Sequence, residues 1–233
     1  MSSLYESLQT ASLYTDAFHV DAPAVPVGRD VWQRQPGVFI RQGPQQASTS
    51  TETAPADNPT RALPSRELVA GQFGLVPCWV KSASDAKLRS TKLVNARAEA
   101  VTTSNNFREA WMNGQRCIVP MMAFMEDDWR SGKAVPTRIS RVDGKPMGVA
   151  GLWESWKGPE GEVITSYTLL TVSANSHALM NRYQQPGSEK RMLVILNEGA
   201  VDAWLGVRHE KAREFMRAYP AEWLTANPVQ KKR

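Results

Sequence analysis

The stretch Arg116–Trp129 (RCIVPMMAFMEDDW) begins as an apolar run of strand character and ends in three consecutive carboxylates and a tryptophan. Burying the apolar part leaves Glu126 at a strand end, beside a sheet. A carboxylate held there is partly desolvated, which raises its pKa towards the range useful for proton transfer. The same pattern fits a strand that runs out into a solvated acidic turn. Upstream, the segment NARAE carries Asn95, Arg97 and Glu99. Arg97 and Glu99 suit a surface ion pair, and Asn95 suits the cap of a turn. Trp79 follows an apolar run and fits a core position. A basic run, Lys81, Lys87, Arg89 and Lys92, comes just after it.

The elements that must position these residues are short. The spacing of Leu4, Leu8, Leu13 and Phe18 predicts a helix over Tyr5 to Tyr14. Val38-Phe39-Ile40 reads as a strand after the Pro36-Gly37 turn. Gln42 to Arg66 is rich in Ser, Thr, Pro, Ala and Gln and has almost no large apolar residues. Such a segment buries too little surface to offset its ordering entropy, so it is expected to be a mobile surface insertion. Leu68 to Trp79 suggests one or two strands, stopped by Pro77. Phe107 to Asn113 suggests a short helix ended by Gly114. One strand is expected from Arg116 to Glu126, then others over Val135–Val142, Met147–Trp156, Val163–Ala174 and Met192–Leu196. Asp143-Gly144 reads as a hairpin turn. Short helices are expected from Asn175 and over Ala200–Leu205 and Glu210–Ala218. Strands in the middle with short helices between them give an α+β class and a single domain over residues 1–233.

Composition narrows the function classes. The chain has 233 residues, a hydrophobic content of 42% and a charged content of 22%, ordinary for a globular domain. No apolar run has the length of a membrane span, and Met1 to Leu13 is too polar for a secretory leader. Two cysteines, Cys78 and Cys117, make neither a disulfide framework nor a zinc site, and both are expected to be buried free thiols. His19, His177 and His209 lie far apart in sequence, so no metal site is expected, and no cofactor. A reducing cytoplasm and a monomer fit these features. The net charge of +5 permits a polyanionic partner without requiring one.

Taken in order, MSSLYE at the start, FGLVPCW at 73–79, NARAE at 95–99, RCIVP running to FME at 124–126, GKAVP at 132–136, AGLW at 150–153 and PGSEKRM at 186–192 resemble the SRAP family, the SOS response-associated peptidases. The likeness runs from about Met1 to Leu205, with 42–66 as an unmatched insertion. It implies curved, mostly antiparallel, barrel-like sheets with short flanking helices and one positively charged groove. It also implies recognition of abasic sites in single-stranded DNA. In the family, removal of the initiator Met exposes a cysteine at position 2. Its amine and thiol capture the ring-opened aldehyde as a thiazolidine, and peptidase activity is inferred for the same site. By the resemblance, Glu126 is the catalytic glutamate, Asn95 and Arg97 hold the N-terminus and a phosphate, and Trp79 stacks on a base at the lesion. Lys81 and Arg191 are expected to assist DNA binding, and Glu99 to orient its neighbours.

Three positions depart from the pattern. Ser2 stands where the family has cysteine, Leu4 where many members have a phosphate-contacting arginine, and Gln184 or Gln185 where a histidine is usual. A hydroxyl is a far poorer nucleophile than a thiol near neutral pH. Ser2 can still offer an amine for an imine or a reversible oxazolidine. Glutamine hydrogen-bonds but is no general acid. The residues therefore support three readings: an abasic-site crosslinking protein using Ser2, Glu126, Asn95 and Gln184; a single-strand DNA-binding pseudoenzyme; or a serine-type autopeptidase.

Overall fold

In the computed structural model the structure describes residues 2–44 and 65–229. In chain order the strands are β1 Leu4–Glu6, β2 Asp30–Trp32, β3 Pro36–Gln42, β4 Arg66–Phe73, β5 Asn95–Arg97, β6 Arg116–Met121, β7 Ala123–Asp128, β8 Val135–Arg141, β9 Met147–Lys157, β10 Val163–Ser173, β11 Arg191–Leu193, β12 Ile195–Leu196 and β13 Leu224–Pro228. The α-helices are α1 Ala11–Phe18, α2 Ala83–Lys92, α3 Arg108–Met112, α4 Val201–Gly206 and α5 His209–Ala212.

Two sheets share the core. One is a closed five-stranded barrel: β10, β4, β3, β6 and β9 pair in turn, and β9 pairs back onto β10. Strands β5, β11 and β12 extend it. Among the described residues, only the pairings of β10 with β4 and β5 are parallel. The other sheet is open, in the order β13-β8-β7-β1-β2, and antiparallel throughout. This is the expected α+β architecture of curved, mostly antiparallel sheets with short helices.

The expected single strand over 116–126 is two strands in two sheets. Every residue of β6 is buried, as befits a barrel stave. The chain then turns at Met122, whose N–H donates to the Glu6 carbonyl, and β7 continues in the open sheet. This corner brings the N-terminal strand β1 alongside β7. The predicted helix over Tyr5–Tyr14 is displaced for the same reason. Leu4, Tyr5 and Glu6 pair with β2, Tyr5 and Glu6 pair also with β7, and the helix starts only at Ala11. Asp143-Gly144 makes a turn, but it joins β8 to β9 in different sheets and no hairpin forms.

Gln42 and Arg66, placed in the expected insertion, are strand residues that face each other across β3 and β4. The remainder of that segment, 45–64, lies outside the described residues. Ser82 to Lys92 forms a helix capped by the Ser82 hydroxyl, which accepts from the Asp85 N–H. Around Met180–Arg182 the chain makes a single 3₁₀ turn rather than an α-helix. Buried His177 accepts there from the N–H groups of Leu179 and Met180. Cys117 is buried as expected, whereas Cys78 is exposed in the turn after Pro77.

Inside the barrel the hydroxyls of Tyr5 and Tyr167 meet at 2.5 Å. They sit against Gly37, where a Cβ would lie 1.9 Å from the Tyr167 oxygen. Tyr5 thereby anchors β1, and so the N-terminus, to the barrel. No helix among the described residues is long and apolar enough to cross a membrane.

Candidate functional site

Ser2 and Glu126 are brought together by that anchoring. Ser2 is 2% exposed and Glu126 6% exposed. The Ser2 hydroxyl donates to Glu126 Oε1 at 2.5 Å across 124 positions of sequence. Burial pushes the Glu126 carboxyl above its ordinary range, and the positive charge of the chain's amino terminus and then the Ser2 hydroxyl pull it part of the way back. A buried acid on a nucleophile-bearing residue is suited to moving a proton at that atom.

Glu126 lines a cavity of about 1120 Å³, walled by the open sheet and by the segment from Gln184 to Arg191. Four arginines line it: Arg29, Arg97, Arg138 and Arg191. So do five carboxylates: Glu6, Asp30, Glu126, Asp127 and Glu189. The groove is therefore mixed in sign, where the resemblance implies a positively charged one. Each arginine already has a partner. Arg29 and Arg138 both reach Glu6, the latter with a two-pronged contact. Arg97 pairs with Glu189 at 2.9 Å.

Asn95 precedes Arg97 by two on β5, so the two share a face of the strand. Its Nδ2 donates to the Val94 carbonyl, and its buried Oδ1 has no hydrogen-bond partner among the described residues. Arg191 is 2% exposed, and its fork is spent on Glu99, Glu189 and Thr171. It organises the groove wall and presents no free guanidinium. Glu99, held by Arg191, stays below the usual carboxylate range. Gln184 lines the cavity, yet both ends of its amide are taken by the Arg191 backbone. Its own N–H donates to the Asp127 carbonyl from a left-handed conformation with φ of 70°. Trp79 and Lys81 are exposed and are not in the cavity wall. The Trp79 indole donates to the Asn105 carbonyl and lies under the Arg89 guanidinium at 4.8 Å.

Sequence reasoning missed Glu6, Glu189, Arg138 and Trp32, all of which line the cavity. Only the alternation in Leu4-Tyr5-Glu6 carried a signal, since a strand there points Leu4 and Glu6 away from buried Tyr5. No group of three or more histidine, cysteine or acidic side chains among the described residues could hold a metal ion.

The family described as SOS response associated peptidase (SRAP) matches residues 11–232, a span that begins after Ser2. Abasic site processing protein YoqW of Bacillus subtilis is 30% identical over 162 residues, 68% of this chain and 67% of that protein. Abasic site processing protein HMCES of Gallus gallus is 25% identical over 184 residues, and the match covers 53% of its length. A crystal structure of a Bordetella bronchiseptica protein superposes with a TM-score of 0.84 at 38% identity, covering 98% of this chain and 100% of its own. A Bacteroides thetaiotaomicron structure, at 21% identity and a TM-score of 0.75, shares the fold. With a family match that spans nearly the whole chain and a corner that folds residue 2 onto Glu126, the chain belongs to the SRAP family.

Proposed function

We propose that this protein binds single-stranded DNA at an abasic site and receives the ring-opened sugar at the Ser2–Glu126 pair. The observation that carries the reading is the contact between Ser2 and Glu126 on the groove. An aldehyde needs an amine and a proton donor. Once Met1 is removed, the Ser2 amine attacks the aldehyde carbon and forms an N–C bond. Glu126 in its acid form then protonates the carbinolamine oxygen, which leaves as water, and an imine remains. Ring closure by the Ser2 hydroxyl gives an oxazolidine, which reopens readily. Asn95 lies behind Arg97 on β5 with a buried, unpartnered Oδ1 and does not line the groove, so in this reading it supports the position of Arg97. Arg97, once released from Glu189, supplies a phosphate contact. Trp79 and Lys81 lie along the strand's path outside the pocket in this reading. Gln184 and Arg191 shape the wall and take no part in proton transfer.

The second reading is a binding module without covalent chemistry. It is favoured by the spent side chain of Gln184 and by the poor nucleophilicity of a serine hydroxyl. Both readings require the strand, and one comparison tests that requirement. Fluorescence anisotropy of the mature chain with an abasic oligonucleotide should show tighter binding than with the intact strand at low salt. Equal affinity for the two, or none for either, contradicts the proposal.

A further inference from the structure

The open sheet presents a row of side chains to the groove that the Ser2–Glu126 chemistry leaves unused. Trp32 on β2 faces Leu4 on β1 in register. One step along the register that pairs Tyr5 with Phe124, Leu4 meets Met125 on β7. Met125 faces Arg138 on β8, and Arg138 faces Asn227 on β13. All five line the cavity. The row thus crosses the whole sheet, apolar over three strands and polar over two.

Trp32 is 47% exposed at the edge of this row. An indole that is half in water contributes little to the core, so the fold gives no reason for it there. Its backbone is nevertheless fixed: its N–H donates to the Gln35 side chain, and its carbonyl accepts from the Gln35 N–H. An exposed aromatic on a fixed backbone, in register with an aliphatic side chain, is a surface on which a flat π-face stacks. Arg138 within the row and Arg29 beside it, both held by Glu6, carry the charge that a phosphodiester backbone would meet. Phosphates alone would not call for the apolar part.

We infer that Trp32, with Leu4 and Met125 as its floor, is a stacking subsite for the intact base next to the abasic nucleotide. The inference rests on the proposed function and deepens it. The apolar Leu4 belongs to this floor.

The test is a two-by-two comparison. Wild type and Trp32→Ala are titrated with two abasic strands, one with thymines beside the lesion and one with abasic spacers there. Trp32→Ala should weaken binding of the thymine strand about tenfold, the size of one base stack. It should leave the spacer strand within about twofold. An equal loss on both strands, or none on either, overturns the subsite. Failure of wild type to bind either strand overturns the proposed function instead. Circular dichroism of Trp32→Ala checks the fold, and Trp32→Phe should recover most of the thymine-strand affinity.

Discussion

Burial raises the Glu126 carboxyl, the positive charge of the chain's amino terminus and the Ser2 hydroxyl lower it, and burial dominates. A carboxyl whose pKa is higher folded than unfolded binds its proton more tightly in the folded protein. Its contribution to stability is full below the unfolded value of about 4.3 and is lost as pH rises through the folded value. Glu126→Gln removes the titration while keeping an acceptor for Ser2. The melting temperature of Glu126→Gln relative to wild type should therefore rise between pH 4 and pH 8 in thermal scans, and a flat difference would contradict the account. Adduct formation should show the complementary pH dependence. It needs the acid form, so it should slow as pH rises through the Glu126 pKa and be lost in Glu126→Gln. Ser2→Cys adds a thiolate-capable nucleophile at the same spot. It should convert a borohydride-dependent adduct into one stable to heat and denaturant on a gel.

At the scale of elements, the site depends on the corner at Met122 and on β1 lying beside β7. The apolar run before Glu126 was legible in the sequence, because a continuous apolar stretch of strand length marks a strand buried on both faces. The corner was not, since nothing in Pro120-Met121-Met122-Ala123 distinguishes a bend between sheets from a continuous strand. The three-residue β1 was hidden as well. It is too short to show a period, and its neighbours at Leu8 and Leu13 suggested a helix instead. Tyr5 holds β1 through its contact with Tyr167, packed on Gly37. Gly37→Ala forces a methyl into that contact and should cost about 1–3 kcal/mol in urea unfolding, together with loss of the Ser2–Glu126 register. On β5, Glu189 holds Arg97 at 2.9 Å. Glu189→Ala frees the guanidinium and removes a like charge from the strand's path. Affinity for single-stranded DNA should rise severalfold, and the salt slope should steepen by about 0.7. A weaker complex would show that Glu189 itself contacts the ligand.

For the whole molecule, the net charge of +5 said little about where a polyanion would bind. The groove carries paired arginines amid carboxylates, and such pairing is invisible in a charge count because the partners are far apart in sequence. Binding should accordingly be only moderately salt-sensitive. With three usable arginines, the slope of log K against log salt should be about −2, against much steeper values for a uniformly basic cleft. A second buried carboxyl tunes the stability of the fold. Glu154 is pushed up to about 7 by burial, with Glu109 adding to the shift and Gln115 opposing it. Its folded pKa also exceeds the unfolded one, so its contribution falls away as pH rises from about 4.3 towards 7. Glu154→Gln should therefore stabilise the protein at pH 8 and not at pH 4, as read by denaturant midpoints.

The decisive measurement is peptide mapping after borohydride reduction of the mature chain with an abasic oligonucleotide. One nucleotide-bearing peptide is expected, modified at the amine of residue 2, and none with Glu126→Gln. A modified lysine elsewhere, or no modified peptide at all, would contradict this.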